Sequence, residues 1–284
     1  MTAAALPQWL DLRRDGPGVR VRARVPADLA CFEGHFPGHP VVPGFVQIDW
    51  VVGLAREHLS AKGDLAAIEA LKYRSFLVPE AEVEIALELH ASGVRFAYRG
   101  AGGELSSGRL RLDPSLAQHR PEPVETPSSG LPLRIPQAGR MRVIEAVTHH
   151  ESGVTMCAAR IGDATPLLRD GRAPAWLALE LLAQAMAAQG GLALAPAGGV
   201  TAGAPRVFLV GARRIELRTR SFAAGERLWV RVEHQRGETG LVVCECALGT
   251  GAVPAGGSEA RARALAWGPI KAVVGAPAGG SANP

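Results

Sequence analysis

No apolar run in this chain approaches the ~20 residues that a helix needs to cross a bilayer. A helical membrane protein is excluded. Basic residues are not gathered into a stripe. They are interleaved with acids, and the formal net charge is only +4. Dedicated nucleic-acid binders cluster their charge and mix it with aromatics, so that class is excluded too. Cysteine is scarce. Cys31, Cys157, Cys244 and Cys246 have neither metal-ligand nor redox spacing. They read as small buried residues of a reducing compartment, and no metal site is expected. The first residues, MTAAALPQWLDLRRDG, carry charges where a secretory leader needs an apolar core. Export is not expected, and the cytoplasm is the predicted location.

What is present is a globular composition. The 284 residues are 47% hydrophobic and 20% charged, enough for one large or two ordinary domains. The organising stretch is Cys31 to Leu54, CFEGHFPGHPVVPGFVQIDWVVGL. A Gly/Pro-rich turn from Glu33 to Gly44 carries His35. It runs into an apolar segment, Phe45 to Leu59, long enough for about four helical turns. Pro43-Gly44 stands where this helix starts, and proline is tolerated in a first turn. Asp49 lies inside the apolar run. A buried carboxylate is paired, hydrogen-bonded or there for chemistry. His35 and Asp49 are therefore a candidate acid–base pair.

The chain divides into two similar halves. Residues 1–113 read as one unit: an alternating strand at Val19 to Val25, the turn and helix, then strands at Ala67 to Phe76, Glu82 to His90, Val94 to Tyr98 and Leu105 to Leu112. A long helix followed by a meander of strands is an α+β pattern. Residues 114–135 form a Pro-rich linker predicted to run extended over the surface, with His119 solvated. Residues 136–250 repeat the order. Strands are expected at Met141 to Val147 and Val154 to Ile161. A second Pro-opened apolar helix follows at Pro174 to Gly190, then strands at Arg206 to Thr219, Arg227 to His234 and Thr239 to Leu248. The repeat suggests an internal duplication. Residues 251–284 are Ala/Gly/Pro-rich, with a little pattern at Arg261 to Ile270, and are expected to be largely flexible. His39 reads as a loop residue, and His149-His150 as a surface pair.

The motif EGHFPGHPVVPG, followed by an apolar helix with an acid, resembles the FabA/FabZ-type 3-hydroxyacyl-carrier-protein dehydratases. Through GHFPGHPVVPGFVQIDWVVGLA, LKYRSFLVP, FAYRG and SSGRLRL, the first unit is similar to the ApeI-like dehydratases of aryl polyene pathways. Through WLALELLAQAMAAQGG, VFLVGARRIEL and FAAGERLWV, the second is similar to their ApeP-like hotdog partners. The resemblance implies a tandem double hotdog, each unit a central helix wrapped by a curved antiparallel sheet. It implies His35 as the base, Gly44 as the donor of a carbonyl-polarising N–H, and an acid at Asp49 or at Glu180 of the second helix, with Gln184 one turn on. It further implies no protein-bound cofactor, since the substrate rides on the phosphopantetheine of an acyl carrier protein. A ketosynthase and a ketoreductase are the implied pathway neighbours.

One departure matters. Fourteen residues before Glu180 stands Pro166, and Ile161 to Ala175 contains no histidine. The second unit has no base of its own. In this family each site takes its histidine from one hotdog and its acid from the other. His35 with Glu180 is then the complete site, and Asp49 faces a degenerate one. Pairing of first units across chains in a homodimer would instead give His35 with Asp49. The tandem chain favours His35–Glu180, because each unit presents the other at high effective concentration.

These residue types suit the chemistry. Neutral imidazole is available near pH 7 to take a C2 proton. A carboxyl in an apolar helix can stay protonated and donate. A helix N-terminal N–H can stabilise the forming enolate. Val46, Trp50 and Met186 are the expected walls of an acyl tunnel. Two other readings fit the sequence: a hotdog thioesterase or enoyl-CoA hydratase, and a non-catalytic acyl-binding or scaffolding subunit.

Overall fold

The computed structural model describes residues 6–125, 129–193, 206–235 and 241–275. The first unit contains β1 (Gln8–Asp15), β2 (Gly18–Arg24), α1 (Gly44–His58), β3 (Asp64–Tyr73), β4 (Glu82–His90), β5 (Gly93–Gly100) and β6 (Gly103–Asp113). The second contains β7 (Ile144–Glu151), β8 (Val154–Arg160), β9 (Arg172–Pro174), α2 (Ala178–Ala193), β10 (Arg206–Leu217), β11 (Ser221–Ala223), β12 (Arg227–Gln235), β13 (Leu241–Gly249), α3 (Gly257–Arg263) and β14 (Ala266–Gly275). A single 3-10 turn, Ala175–Leu177, leads into α2. Among the described residues no helix is long and apolar enough to cross a membrane.

Twelve strands form one antiparallel sheet in the order β1-β2-β4-β5-β6-β3-β10-β14-β13-β12-β8-β7. The order reads the same from either end once β7, β8, β10, β12, β13 and β14 are matched to β1, β2, β3, β4, β5 and β6. The two units are thus related by a pseudo-two-fold axis at the β3–β10 seam. There Ile68 pairs with Ile215 and Leu71 with Ala212, all buried. On the outer face Glu69 binds Arg214 at 2.7 Å and Glu216 binds Arg111 at 3.2 Å. These exposed ion pairs contribute little to stability; the buried aliphatic pairs carry the seam.

The strand alternation is realised in β2, where Val19, Val21 and Ala23 point inward and the arginines between them outward. α1 and α2 are buried nearly all round, as helices rolled inside a sheet must be. Tyr98 Oη donates to the Gln47 carbonyl at 2.7 Å and so ties α1 to β5. Most buried apolar residues of both units form one continuous cluster, and a smaller one gathers Val124, Met156, Trp229, Ala247, Ala260 and Ala264.

Two expectations are corrected, and one strand, β1, is added to those expected. Residues 251–275 are not a flexible tail, and the second unit does not stop at 250. They contain α3 and β14, and β14 lies between β10 and β13 with Ile270 and Ala272 buried. Proline disfavours a strand assignment, but Pro269 falls where the β10–β14 register shifts, so its missing N–H breaks no regular ladder there. Residues 276–284 lie outside the described residues. β1 gives no alternation, because Trp9, Leu10 and Leu12 are exposed along an edge strand. His119 is not solvated. Its ring is buried against the second unit, with Nδ1 2.7 Å from Thr219 Oγ1 and Nε2 against the Glu226 carboxylate.

A chain ending at Thr250 should therefore fail to fold. Removing β14 opens two unpaired edges in mid-sheet and uncovers the apolar faces of β10 and β13. Circular dichroism and gel filtration check this. A soluble, cooperatively unfolding product would refute the place assigned to β14.

Candidate active site

His35 stands in a turn closed by its own backbone. Val41 N–H donates to the His35 carbonyl at 3.0 Å, and Phe36 and His39 exchange backbone hydrogen bonds at 3.0 and 2.9 Å. Gly34 adopts φ +91°, and a Cβ there would lie 1.9 Å from the Ala138 carbonyl oxygen, so only glycine fits. The His35 ring is buried and stacks on Phe36 with centroids 4.0 Å apart. Nδ1 lies 2.9 Å from the Val41 carbonyl oxygen. A carbonyl oxygen only accepts, so Nδ1 carries a hydrogen, and in the neutral ring the lone pair is on Nε2.

Gly44 is the first residue of α1, and its N–H has no acceptor within the helix. A Cβ at this position would lie 2.4 Å from Tyr73 Oη. Glycine is thus required for Tyr73 to pack beneath the helix N-terminus. The Tyr73 hydroxyl is buried without a hydrogen-bond partner among the described residues. Burial, with the nearby Glu180 charge adding to it, pushes this phenol far above its ordinary range. It is neutral at any physiological pH.

Glu180 comes from α2 of the other unit and is 5% exposed. Its Oε1 accepts from Gln184 Nε2 at 2.8 Å and from Gln137 Nε2 at 3.0 Å. Gln184 is itself fixed: Nε2 also donates to the Met141 carbonyl at 2.6 Å, and Oε1 accepts from the Val143 and Ile144 amides at 3.0 and 3.2 Å. The carboxyl orientation is set, with Oε1 engaged by two amide donors.

His35, Gly44, Tyr73, Gln137 and Glu180 line one cavity of about 240 Å3. The fold thus brings His35 and Gly44 of the first unit together with Glu180 of the second. Its apolar wall includes Phe36, Phe45, Leu77, Leu179 and Phe208. Val46, Trp50 and Met186 are not among its lining residues, which corrects the expected tunnel. Gly44, Phe45 and Gln47 form the face that α1 turns to the cavity. Val46 and Met186 are packed in the core, and Trp50 lines a separate cavity with Asp49, Arg169 and Trp176.

Asp49 is not with His35. It is buried, and Arg169 binds both of its oxygens, at 3.2 and 2.8 Å. Arg169 belongs to the segment that takes the place of the histidine turn in the second unit. The equivalence is plain at the helix starts: Pro43-Gly44-Phe45 matches Pro174-Ala175-Trp176, and Asp49 and Glu180 each lie six residues after the proline. At the position equivalent to Glu180, Asp49 is thus engaged in an ion pair.

Gln137 and Tyr73 were not singled out from sequence. Gln137 lies in Pro-rich surroundings with no pattern to flag it, whereas Tyr73 is part of the LKYRSF segment. Cys31, four residues before His35, is not a nucleophile at neutral pH, because burial pushes its thiol up to about 12.

Two central helices, each rolled in antiparallel sheet and joined edge to edge, make this a double hotdog of the dehydratase type. The dehydratase domain of a mycocerosic acid synthase-like polyketide synthase superposes with a TM-score of 0.63 at 12% identity, covering 97% of this chain and 98% of that one. The dehydratase domain of PpsC from Mycobacterium tuberculosis, solved with C12:1-CoA, gives 0.63 at 13% identity over 94% and 98%. A chain of the dehydratase heterocomplex ApeI:P from Xenorhabdus doucetiae is 24% identical over 38% of this chain and 97% of its own, with a TM-score of 0.36. No curated protein matches. Residues 12–109 match the ApeI-like family, described as ApeI dehydratase, and residues 133–270 match the ApeP-like family, described as ApeP dehydratase. The chain is an ApeI-like and an ApeP-like dehydratase domain in tandem.

Gln184→Leu should destabilise the fold by ~2–4 kcal/mol, because it strands the Val143 and Ile144 amides and the Met141 carbonyl in the core. Urea denaturation measures this. A change below about 0.5 kcal/mol would show that these bonds are replaced by others.

Proposed function

We propose that this protein dehydrates 3-hydroxyacyl thioesters, carried on the phosphopantetheine arm of an acyl carrier protein, to trans-2-enoyl thioesters. The pathway is of the polyene or polyketide type, in which a ketosynthase and a ketoreductase supply the 3-hydroxyacyl chain. The observation that carries the proposal is the shared cavity of His35 and Glu180, one group from each unit.

The substrate's C2 proton is acidic only while the thioester oxygen can take up charge. Gly44 N–H, at the positive end of α1, is the donor for that oxygen. His35 Nε2 takes the C2 proton, and Nδ1–H holds the ring through the Val41 carbonyl. The electron pair from C2–H forms the double bond to C3 as the C3–O bond breaks. Glu180 Oε2 gives its proton to the departing oxygen, which leaves as water, while Oε1 stays anchored by Gln137 and Gln184. The imidazolium and the carboxylate then restore their starting forms by returning one proton from His35 to Glu180. The apolar wall keeps bulk water from the enolate-like intermediate.

His35→Ala should lower enoyl formation by about 10²–10⁴-fold, and Glu180→Gln by a similar factor, with the fold intact. Asp49→Asn should change turnover by no more than about threefold, because Asp49 is held by Arg169 away from the reacting groups. Mass spectrometry of carrier-bound product checks all three. Turnover retained by His35→Ala, or a greater loss in Asp49→Asn than in Glu180→Gln, overturns the proposal. Release of free acid would instead indicate a thioesterase.

A further inference from the structure

We infer that Gln137 is a further catalytic residue that recognises the C3 hydroxyl: its carboxamide oxygen accepts the hydroxyl's hydrogen while its NH2 group holds the acid. The inference rests on the dehydration reading above and adds to it a residue just after the linker.

Gln137 is 7% exposed and lines the cavity beside His35 and Glu180. Its Nε2 donates to Glu180 Oε1 at 3.0 Å. That bond fixes which end of the carboxamide is which, since the reverse orientation would set one oxygen against another. Among the described residues its Oε1 is buried and has no hydrogen-bond partner. Buried acceptors are nearly always paired, so this oxygen awaits a donor from a ligand.

The reacting segment of a 3-hydroxyacyl thioester, C1 to C3, offers one such donor, the hydroxyl. Its oxygen must receive a proton from Glu180, yet it also carries a hydrogen of its own. Gln137 and Glu180 are bonded to each other, so one hydroxyl placed between them can accept from the carboxyl and donate to the carboxamide. When the C3–O bond breaks, the oxygen takes the Glu180 proton and leaves as water, still bound to Gln137 Oε1. The C2 proton goes to His35 Nε2 as before, and no further reactant is needed.

The placement of Gln137 is fixed from the other side as well. The next residue, Ala138, donates its N–H to the Gly34 carbonyl at 3.0 Å, one residue before the base. Gln137 therefore spans base turn and acid. The same geometry predicts selectivity. A saturated acyl chain gives Gln137 Oε1 no donor, and a 3-oxoacyl chain sets a second acceptor against it. Both should bind less well than the 3-hydroxyacyl chain, and the 3-oxoacyl thioester is what a reduction step would consume just before this reaction.

The test uses the full chain and three unreactive pantetheine amides, 3-hydroxyacyl, saturated and 3-oxoacyl, titrated by calorimetry. The wild type should favour the 3-hydroxyacyl amide over the other two by about tenfold. Gln137→Leu should reduce that preference to within about twofold. Gln137→Asn, too short to bridge, should do the same and serves if the leucine variant does not fold. A wild type without preference, or a preference that survives in a folded variant, overturns the inference. Turnover of the matching carrier-bound thioester separates the two claims. An active wild type whose preference ignores Gln137 sinks this inference alone. A wild type with the preference but no enoyl product sinks the dehydration reading.

Discussion

The seam between β3 and β10 is the contact on which the rest depends. Each hotdog alone would end in a raw strand edge with Ile68 or Ile215 exposed. Joined, the two edges become the middle of one sheet, and α1 and α2 are set side by side beneath it. Only in that arrangement can a histidine before α1 share a cavity with a carboxyl inside α2. The working groups are far apart in sequence, and the sheet registers them. The linker and the residues just after it add to the same end: His119 fastens to Thr219 and Glu226, and Ala138 to Gly34.

The pseudo-symmetry makes the differences between the halves informative. At one equivalent position Glu180 is held by two glutamine amides, neutral donors that orient it without neutralising it. At the other, Asp49 is clamped by a guanidinium on both oxygens. A buried carboxylate needs one partner or the other. Amides leave an oxygen available for proton transfer; the guanidinium leaves none. The absence of histidine from Ile161 to Ala175 and the pairing of Asp49 with Arg169 are thus consistent with each other.

Much of this was legible in the chain itself, and the failures have physical causes. α1 and α2 announce themselves as proline-opened apolar runs. The His35 turn and Glu180 stand out by motif and by spacing. β14 is hidden because Pro269 and Gly268 argue against a strand, yet the duplication holds the missing signal: four strands follow α1, and the pattern shows only three after α2. The lining of the cavity was misread because Val46 and Trp50 share one helical face and the cavity lies on another. Periodicity shows that a helix has faces, not which neighbour each one meets. Gln137 and His119 lie in Pro-rich stretches, where only the folded chain shows what they touch.

The place of β14 bears on how the molecule is assembled at the ribosome. β10 and β13 share no ladder of their own; β14 bridges them, and Val273 on it also lines the working cavity. Among the described strands it is the last to be translated. The first unit can form early, and β10 can dock on β3 as soon as it emerges. The second sheet nevertheless stays in two pieces until β14 is added. A nascent chain therefore carries His35, Glu180 and the seam for some time before β14 completes the wall of the cavity they share.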